Sequence, residues 1–165
     1  MSESPADRHL DASELDSWSA LATLLEWLPP ELDRPLVENG GLTHFEYGIL
    51  YALDSAPGSA LRLRVLAGYA NSALPRLSRA LDRLEKRDWV RREPDPEDGR
   101  STLAVLRPEG RAILRRMTPI HERNVTTLVF DRLTPAQSRQ LRDISHRILS
   151  GIRDDAAWHP EAAPR

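Results

Sequence analysis

Between Leu74 and Arg87 the chain alternates leucines with cations in a pattern that only a helix can use. At about 100° per residue, Leu74, Leu77, Leu81 and Leu84 fall within a stripe roughly 80° wide, and Arg76, Arg79, Arg83 and Lys86 cluster on the opposite side. One face can bury against a partner while the other presents a row of cations. A helix about 10–12 Å across with such a face fits the major groove of B-DNA, where arginine bonds guanine O6 and N7 with two parallel hydrogen bonds. Taken alone, the same helix also reads as a solvated face laced by pairs such as Asp82–Lys86.

The neighbouring segments favour the first reading. Arg64 to Ala70 forms a short helix, Asn71-Ser72 a tight polar break, and Leu74 to Arg87 the longer helix. Trp89 to Arg92 and Ser101 to Leu106 read as strands around Pro94–Gly99, a run of turn formers. Gly99 is expected to supply positive φ at the hairpin tip, with Arg100 projecting beside it towards a minor groove. This order defines a winged helix-turn-helix within a mainly α (α+β) fold. Upstream, Thr43 with Glu46 forms a capping box that opens a helix from His44 to Ser55. Ala56-Pro57-Gly58 is then a turn, and an extended piece follows near Ser59-Ala60-Leu61.

Helical patterns flank this module. Leu15, Trp18, Leu21, Leu24, Leu25 and Leu28 mark a helix from Ala12 to about Leu36, expected to kink or restart at Pro29-Pro30 and to end at Gly40-Gly41. A long helix runs from Pro108 to about Phe130. Thr134 and Pro135 then start a last one carrying Leu141, Ile144, Ile148 and Leu149. Apolar helices at both ends of a small chain either pack within the monomer or meet a second copy. A two-fold homodimer would face a palindromic operator with half-sites about 10 bp apart. Residues 1–11 and 154–165 read as flexible termini, although Trp158 is a candidate to dock.

The net charge of −2 conceals a segregation. Residues 61–116 hold 14 Lys and Arg against 8 Asp and Glu, so the middle is basic and the ends are acidic. No apolar run of about 18 residues suggests a membrane span, and the first residues lack the pattern of a secretion signal, so a cytoplasmic protein with no membrane partner is expected. There is no cysteine. The five histidines (His9, His44, His121, His146 and His159) include no i,i+3 or i,i+4 pair, so neither metal nor cofactor is expected. Phosphate loops, Gly-x-Ser-x-Gly elbows and His-Glu-x-x-His are also missing, which argues against an enzyme.

Several runs resemble the MarR family of bacterial regulators. They are Leu61 to Ala67, Leu77 to Val90 with its Leu84-Glu85-Lys86-Arg87, and Asp95-Pro96-Glu97-Asp98-Gly99-Arg100-Ser101, followed by Leu106 to Arg111. The resemblance spans Trp18 to Leu149. It implies one domain over 12–150, with 12–40 and 107–150 as interlocking dimerisation helices and 43–106 as the winged DNA-binding module. It also implies a homodimer on double-stranded DNA, acting as a repressor that a small molecule releases. By the same resemblance Arg76, Ser78, Arg79 and Arg83 match contacts of the recognition helix, with Ser72 and Pro75 at its start, and Asp98 with Arg100 match the wing. A pocket for a small aromatic or phenolic effector is implied, with Trp18, Leu21, Trp27, His44, Tyr47, Tyr51 and Tyr69 as candidate lining; ordinary packing is the competing reading for each. Three positions depart from the pattern. Asp88 stands where the family usually has Gly, Ala73-Leu74-Pro75 replaces a Ser or Thr opening so that Ser72 would have to cap, and the wing alternates Pro with acids.

Two other uses of such a fold stay open. A protein–protein adaptor without DNA binding would have its Arg76/Arg79/Arg83 face neutralised by its own carboxylates. An RNA binder would favour exposed aromatics for stacking, yet none lies on the cationic face.

Overall fold

The computed structural model describes residues 8–152. Six helices surround a small sheet: α1 (Ala12–Gly40), α2 (His44–Ser55), α3 (Leu63–Tyr69), α4 (Leu74–Glu85), α5 (Pro108–Leu128) and α6 (Pro135–Ile152). Strands β1 (Ala60–Arg62), β2 (Val90–Pro94) and β3 (Thr102–Leu106) form an antiparallel sheet with β3 central. Its register pairs Leu61 with Ala104 and Arg92 with Ala104 from opposite sides. The fold is the expected mainly helical winged helix-turn-helix. Among the described residues no helix is long and apolar enough to cross a membrane.

Local chemistry explains where the helices start. Asp11 caps α1 by accepting the Glu14 amide at 2.8 Å, while the Glu14 carboxylate takes the Asp11 amide at 3.1 Å. Thr43 and Glu46 exchange the same pair of bonds at α2. Thr134 does so with Gln137 at the start of α6.

Of the two alternatives at Pro29-Pro30, a kink or a restart, the restart does not occur: the helix is continuous through both and through Pro35. Pro29 and Pro30 lie exposed, so the carbonyls they leave unpaired can face water. Pro35 cannot donate to the Glu31 carbonyl, and the Asn124 side-chain amide of α5 takes its place at 2.9 Å. A tertiary contact thus repairs what the sequence breaks.

The core lies between α2, α4, α5 and the sheet. Leu50, Leu53, Leu66, Leu77, Leu81, Leu84 and Val90 are fully buried there, with Leu36 of α1 and Met117 of α5. Gly110 sits where α5 crosses the start of β2, and a Cβ added to it would stand 2.1 Å from the Trp89 carbonyl oxygen. By contrast α6 has no buried residue. Its Leu141, Ile144, Ile148 and Ile152 are 40–70% exposed, and Leu15, Trp18 and Leu25 of α1 are more than half exposed.

Left-handed turns fall at unexpected places. Gly99 has no positive φ; Ser59, Asn71 and Asp88 do, at 53°, 47° and 59°. Asp88 therefore adopts the left-handed helix exit that glycine usually provides, and its carboxylate pairs with Arg107 at 2.7 Å. Asn71 makes the turn between α3 and α4, a conformation its short polar side chain tolerates. Trp158 and the proposed C-terminal tail lie outside the described residues.

Candidate nucleic-acid interface

Helix α4 divides as its sequence requires. Leu77, Ala80, Leu81 and Leu84 are buried, while Arg76, Arg79, Arg83 and Lys86 are exposed. Leu74, at the edge of the apolar stripe, is 42% exposed. Ala73 occupies the N-cap position with no side-chain bond, and the Ser72 hydroxyl donates to the Ala73 carbonyl. Ser72 therefore does not cap. Pro75 in the first turn removes a donor that would otherwise need a partner, which makes the missing cap tolerable.

The acids on α4 are held away from the cationic face. Arg92 of β2 reaches across to Glu85 through Nε at 2.9 Å and Nη2 at 2.5 Å, and to Asp82 at 2.5 Å. Its Nη1 donates to the Ser78 hydroxyl at 3.3 Å, and its backbone amide to Glu85 at 2.7 Å. This network takes Asp82 away from the Lys86 pairing that the solvated-face reading offers, and it fastens the wing to the helix. Among the described residues Arg76, Arg79 and Lys86 have no carboxylate partner. Arg83 does: its Nε lies 2.6 Å from Glu46, whose side chain is 6% exposed. The Arg76 guanidinium stacks 4.2 Å over the Phe45 ring. The neutralisation that an adaptor would show is thus limited to Arg83.

The wing tip is built from carboxylates and not from Gly99. Asp95, buried, accepts the Glu97 amide at 2.9 Å and Arg62 Nε at 2.5 Å. Asp98 accepts the Ser101 hydroxyl at 2.8 Å and the Arg100 amide at 3.1 Å. These donors hold both carboxyls below their ordinary pKa: chiefly the Glu97 amide and then Arg62 for Asp95, and chiefly the Ser101 hydroxyl and then the Arg100 amide for Asp98. Asp98 is therefore an organiser of the tip, and Arg100 is the exposed side chain it leaves free to reach outward.

Groups depressed in this way stabilise the tip above the ordinary carboxylate pKa and lose that contribution as pH falls through their lower folded values. The Glu97 and Arg100 amide resonances are expected to stay constant near neutrality and to move together with the wing in acid, below about pH 4. Asp95→Asn should produce the loosened spectrum at neutral pH. An unchanged wing spectrum in that variant contradicts the assignment.

Pro75, Ser78 and Arg100 share a groove of about 640 Å³ beside α4 with Arg62 and Arg64. Arg76, Arg79 and Arg83 line another, about 320 Å³, with Thr43, His44 and Phe45. Arg62, Arg64, Glu46, Phe45 and Arg92 were not among the sequence candidates. Their roles depend on contacts between elements, and only the capping box drew attention to Glu46.

The effector candidates separate into two groups. His44, Tyr47 and Tyr51 gather around His121 of α5, with Tyr47–His121 ring centres 4.4 Å apart, His44–His121 5.1 Å and Tyr47–Tyr51 6.2 Å. The Tyr47 hydroxyl meets Thr118 at 3.3 Å. Burial, and then His44, pushes the His121 imidazole down to about 4. Burial also lowers His44, against an upward pull from Asp33. Burial thus disfavours the charged form of both rings, and His121 Nδ1 has no hydrogen-bond partner among the described residues. Trp18 and Trp27 are 54% and 72% exposed, Tyr69 is 36% exposed and Leu21 is half-buried; none of the three aromatics makes a ring contact with the cluster. No group of His and acidic side chains suited to a metal occurs among the described residues.

A sequence model described as MarR family matches residues 40–101. The Escherichia coli transcriptional repressor MprA is 26% identical over 148 residues, covering 86% of this chain and 84% of MprA. The crystal structure of Sco3205, a MarR family transcriptional regulator from Streptomyces coelicolor in complex with DNA, is 40% identical, with a TM-score of 0.88 over 91% of this chain and 94% of that one. AbsC, a MarR family regulator from the same organism, is 29% identical with a TM-score of 0.84, covering 89% and 99% of the two chains.

Proposed function

The chain belongs to the MarR family of DNA-binding transcriptional regulators, and on that premise we propose that it is a homodimeric repressor of an inverted-repeat operator, released by a small aromatic effector. Helix α4 enters the major groove and Arg100 of the wing follows the adjacent minor groove. The observation that carries this reading is the cationic face of α4, on which Arg79 stands exposed with no carboxylate partner among the described residues while Arg92 holds Asp82 and Glu85 aside. Phosphate contacts set affinity and a few guanidinium–base bonds set specificity. The repressor sense is supported by the likeness to MprA.

Arg79→Ala is expected to cost about 1–3 kcal/mol of operator binding, roughly a 5- to 150-fold loss, with little change on unrelated duplex. Gel-shift titrations on both DNAs check it; equal loss on both would make Arg79 a phosphate contact, and no loss on either would remove Arg79 from the interface.

The proposed release passes through the first turn of α2. His44 and Tyr47 face His121 on α5, while Phe45 and Glu46 meet Arg76 and Arg83 on α4. A ligand seated against these rings would displace that turn and both arginines with it. Titrating phenolic acids into the protein–operator complex should release DNA, and His121→Phe should abolish release while keeping DNA affinity. Release that survives in that variant would place the effector elsewhere.

A further inference from the structure

Glu46 is the buried acid that the cap alone does not explain. One oxygen, Oε2, accepts the Thr43 amide at 2.9 Å and completes the N-terminal cap of α2. The other, Oε1, accepts Arg83 Nε at 2.6 Å from a different helix. Its side chain is 6% exposed, whereas that of Arg83 is 56% exposed. A guanidinium gripped at Nε from the protein side can turn only about that bond, and its two terminal nitrogens are left for the outside. Those two nitrogens form the fork that matches guanine O6 and N7 or a phosphate.

Arginine normally surrenders much rotamer freedom when it makes such a contact, so a side chain held beforehand loses less on binding. The neighbouring residue acts alike: Phe45 holds the Arg76 guanidinium 4.2 Å over its ring. The first turn of α2 therefore underlies two of the exposed cations of α4.

We propose that Glu46 is a positioning residue for operator recognition, holding Arg83 by Nε so that its two terminal nitrogens read one base pair. This rests on the reading that α4 enters the major groove. A purely charge-balancing Glu46 would behave differently, since removing a negative group near phosphates strengthens binding to every sequence alike.

The test uses the full-length protein with Glu46→Gln, which preserves the cap because glutamine serves at that position of a capping box. Operator binding is measured against operators mutated one base pair at a time. The expected result is loss of preference at one base pair per half-site, about 5- to 100-fold. Binding to unrelated duplex should be equal or stronger, and Arg83→Ala should lose the same preference. Combining the two substitutions should cost no more than Arg83→Ala alone.

Full preference retained in Glu46→Gln while Arg83→Ala loses it overturns the role of Glu46 and leaves the α4 reading intact. If neither Arg83→Ala nor Arg79→Ala alters binding, the α4 reading itself fails. Should Glu46→Gln be too unstable to assay, a structure of the wild-type protein on its operator decides. Arg83 Nε still on Glu46, with both terminal nitrogens on one base edge, supports the proposal; a broken pair, or terminal nitrogens on phosphate alone, overturns it.

Discussion

On the proposed dimer, replacing Ile144 and Ile148 together by Asp is expected to give monomers and to lower operator affinity by at least about 100-fold. On α6, Leu141, Ile144, Ile148 and Ile152 fall within a stripe roughly 80° wide at about 100° per residue, and all four are exposed. A helix of 18 residues without one buried side chain is left uncovered by the rest of its protomer among the described residues. Propensity rarely holds such a helix in water, and the apolar stripe needs a surface to cover it. Leu15, Trp18 and Leu25 of α1 offer a second stripe of the same kind. We assign both to contact with a second copy. Two linked reading heads make the second half-site contact intramolecular, so losing the link removes far more affinity than any one arginine does. Light scattering measures the mass and gel shifts the affinity. A variant that remains dimeric, or a monomer that binds the operator undiminished, contradicts the assignment.

Gly110→Ala is expected to destabilise the protein by about 3 kcal/mol or more, lowering its melting temperature by roughly 10 °C. The added methyl would stand 2.1 Å from the Trp89 carbonyl oxygen and 2.9 Å from Leu106 Cδ1. The first obstacle is backbone, which no rotamer change relieves. The Trp89 carbonyl also accepts the Arg107 amide at 2.9 Å, fixing the start of α5 to the start of β2. Opening that junction shifts the wing against the long helix, so DNA affinity should fall with stability. Gly68→Ala provides the control of opposite sign. It is a helical glycine with nothing within 4 Å of the added carbon, and there alanine should raise stability by about 0.5–1 kcal/mol. Thermal melts at one protein concentration compare the two. Equal melting of Gly110→Ala and wild type would mean that the junction is looser than drawn.

What could be read in advance follows the range of the forces involved. Periodicity is local, so the two faces of α4 and the reciprocal cap of Thr43 with Glu46 were legible in the sequence, as was the start of α6 at Thr134-Pro135. Reach across elements was not. Nothing near Arg92 indicates that its guanidinium spans to Glu85, Asp82 and Ser78, because the hairpin that aims it pairs Arg92 with Ala104 on the next strand. Pro29-Pro30 reads as a kink or a restart because the sequence does not show that both prolines lie exposed on a continuous helix, or that Asn124 repairs the bond lost at Pro35. The wing was read with glycine logic, yet Asp95 and Asp98 shape the tip by accepting its amides. His44 and His121, 77 positions apart in sequence, come within 5.1 Å only because α2 packs on α5.

The central claim is that paired, outward-facing arginines of α4 read DNA sequence on consecutive turns of one duplex. Selecting binding fragments from random duplex DNA with the intact protein tests it most directly. The account predicts a two-fold symmetric motif with half-sites about 10 bp apart, bound with an affinity that falls steeply as salt rises. Fragments without a shared motif, held with a shallow salt dependence, would contradict it.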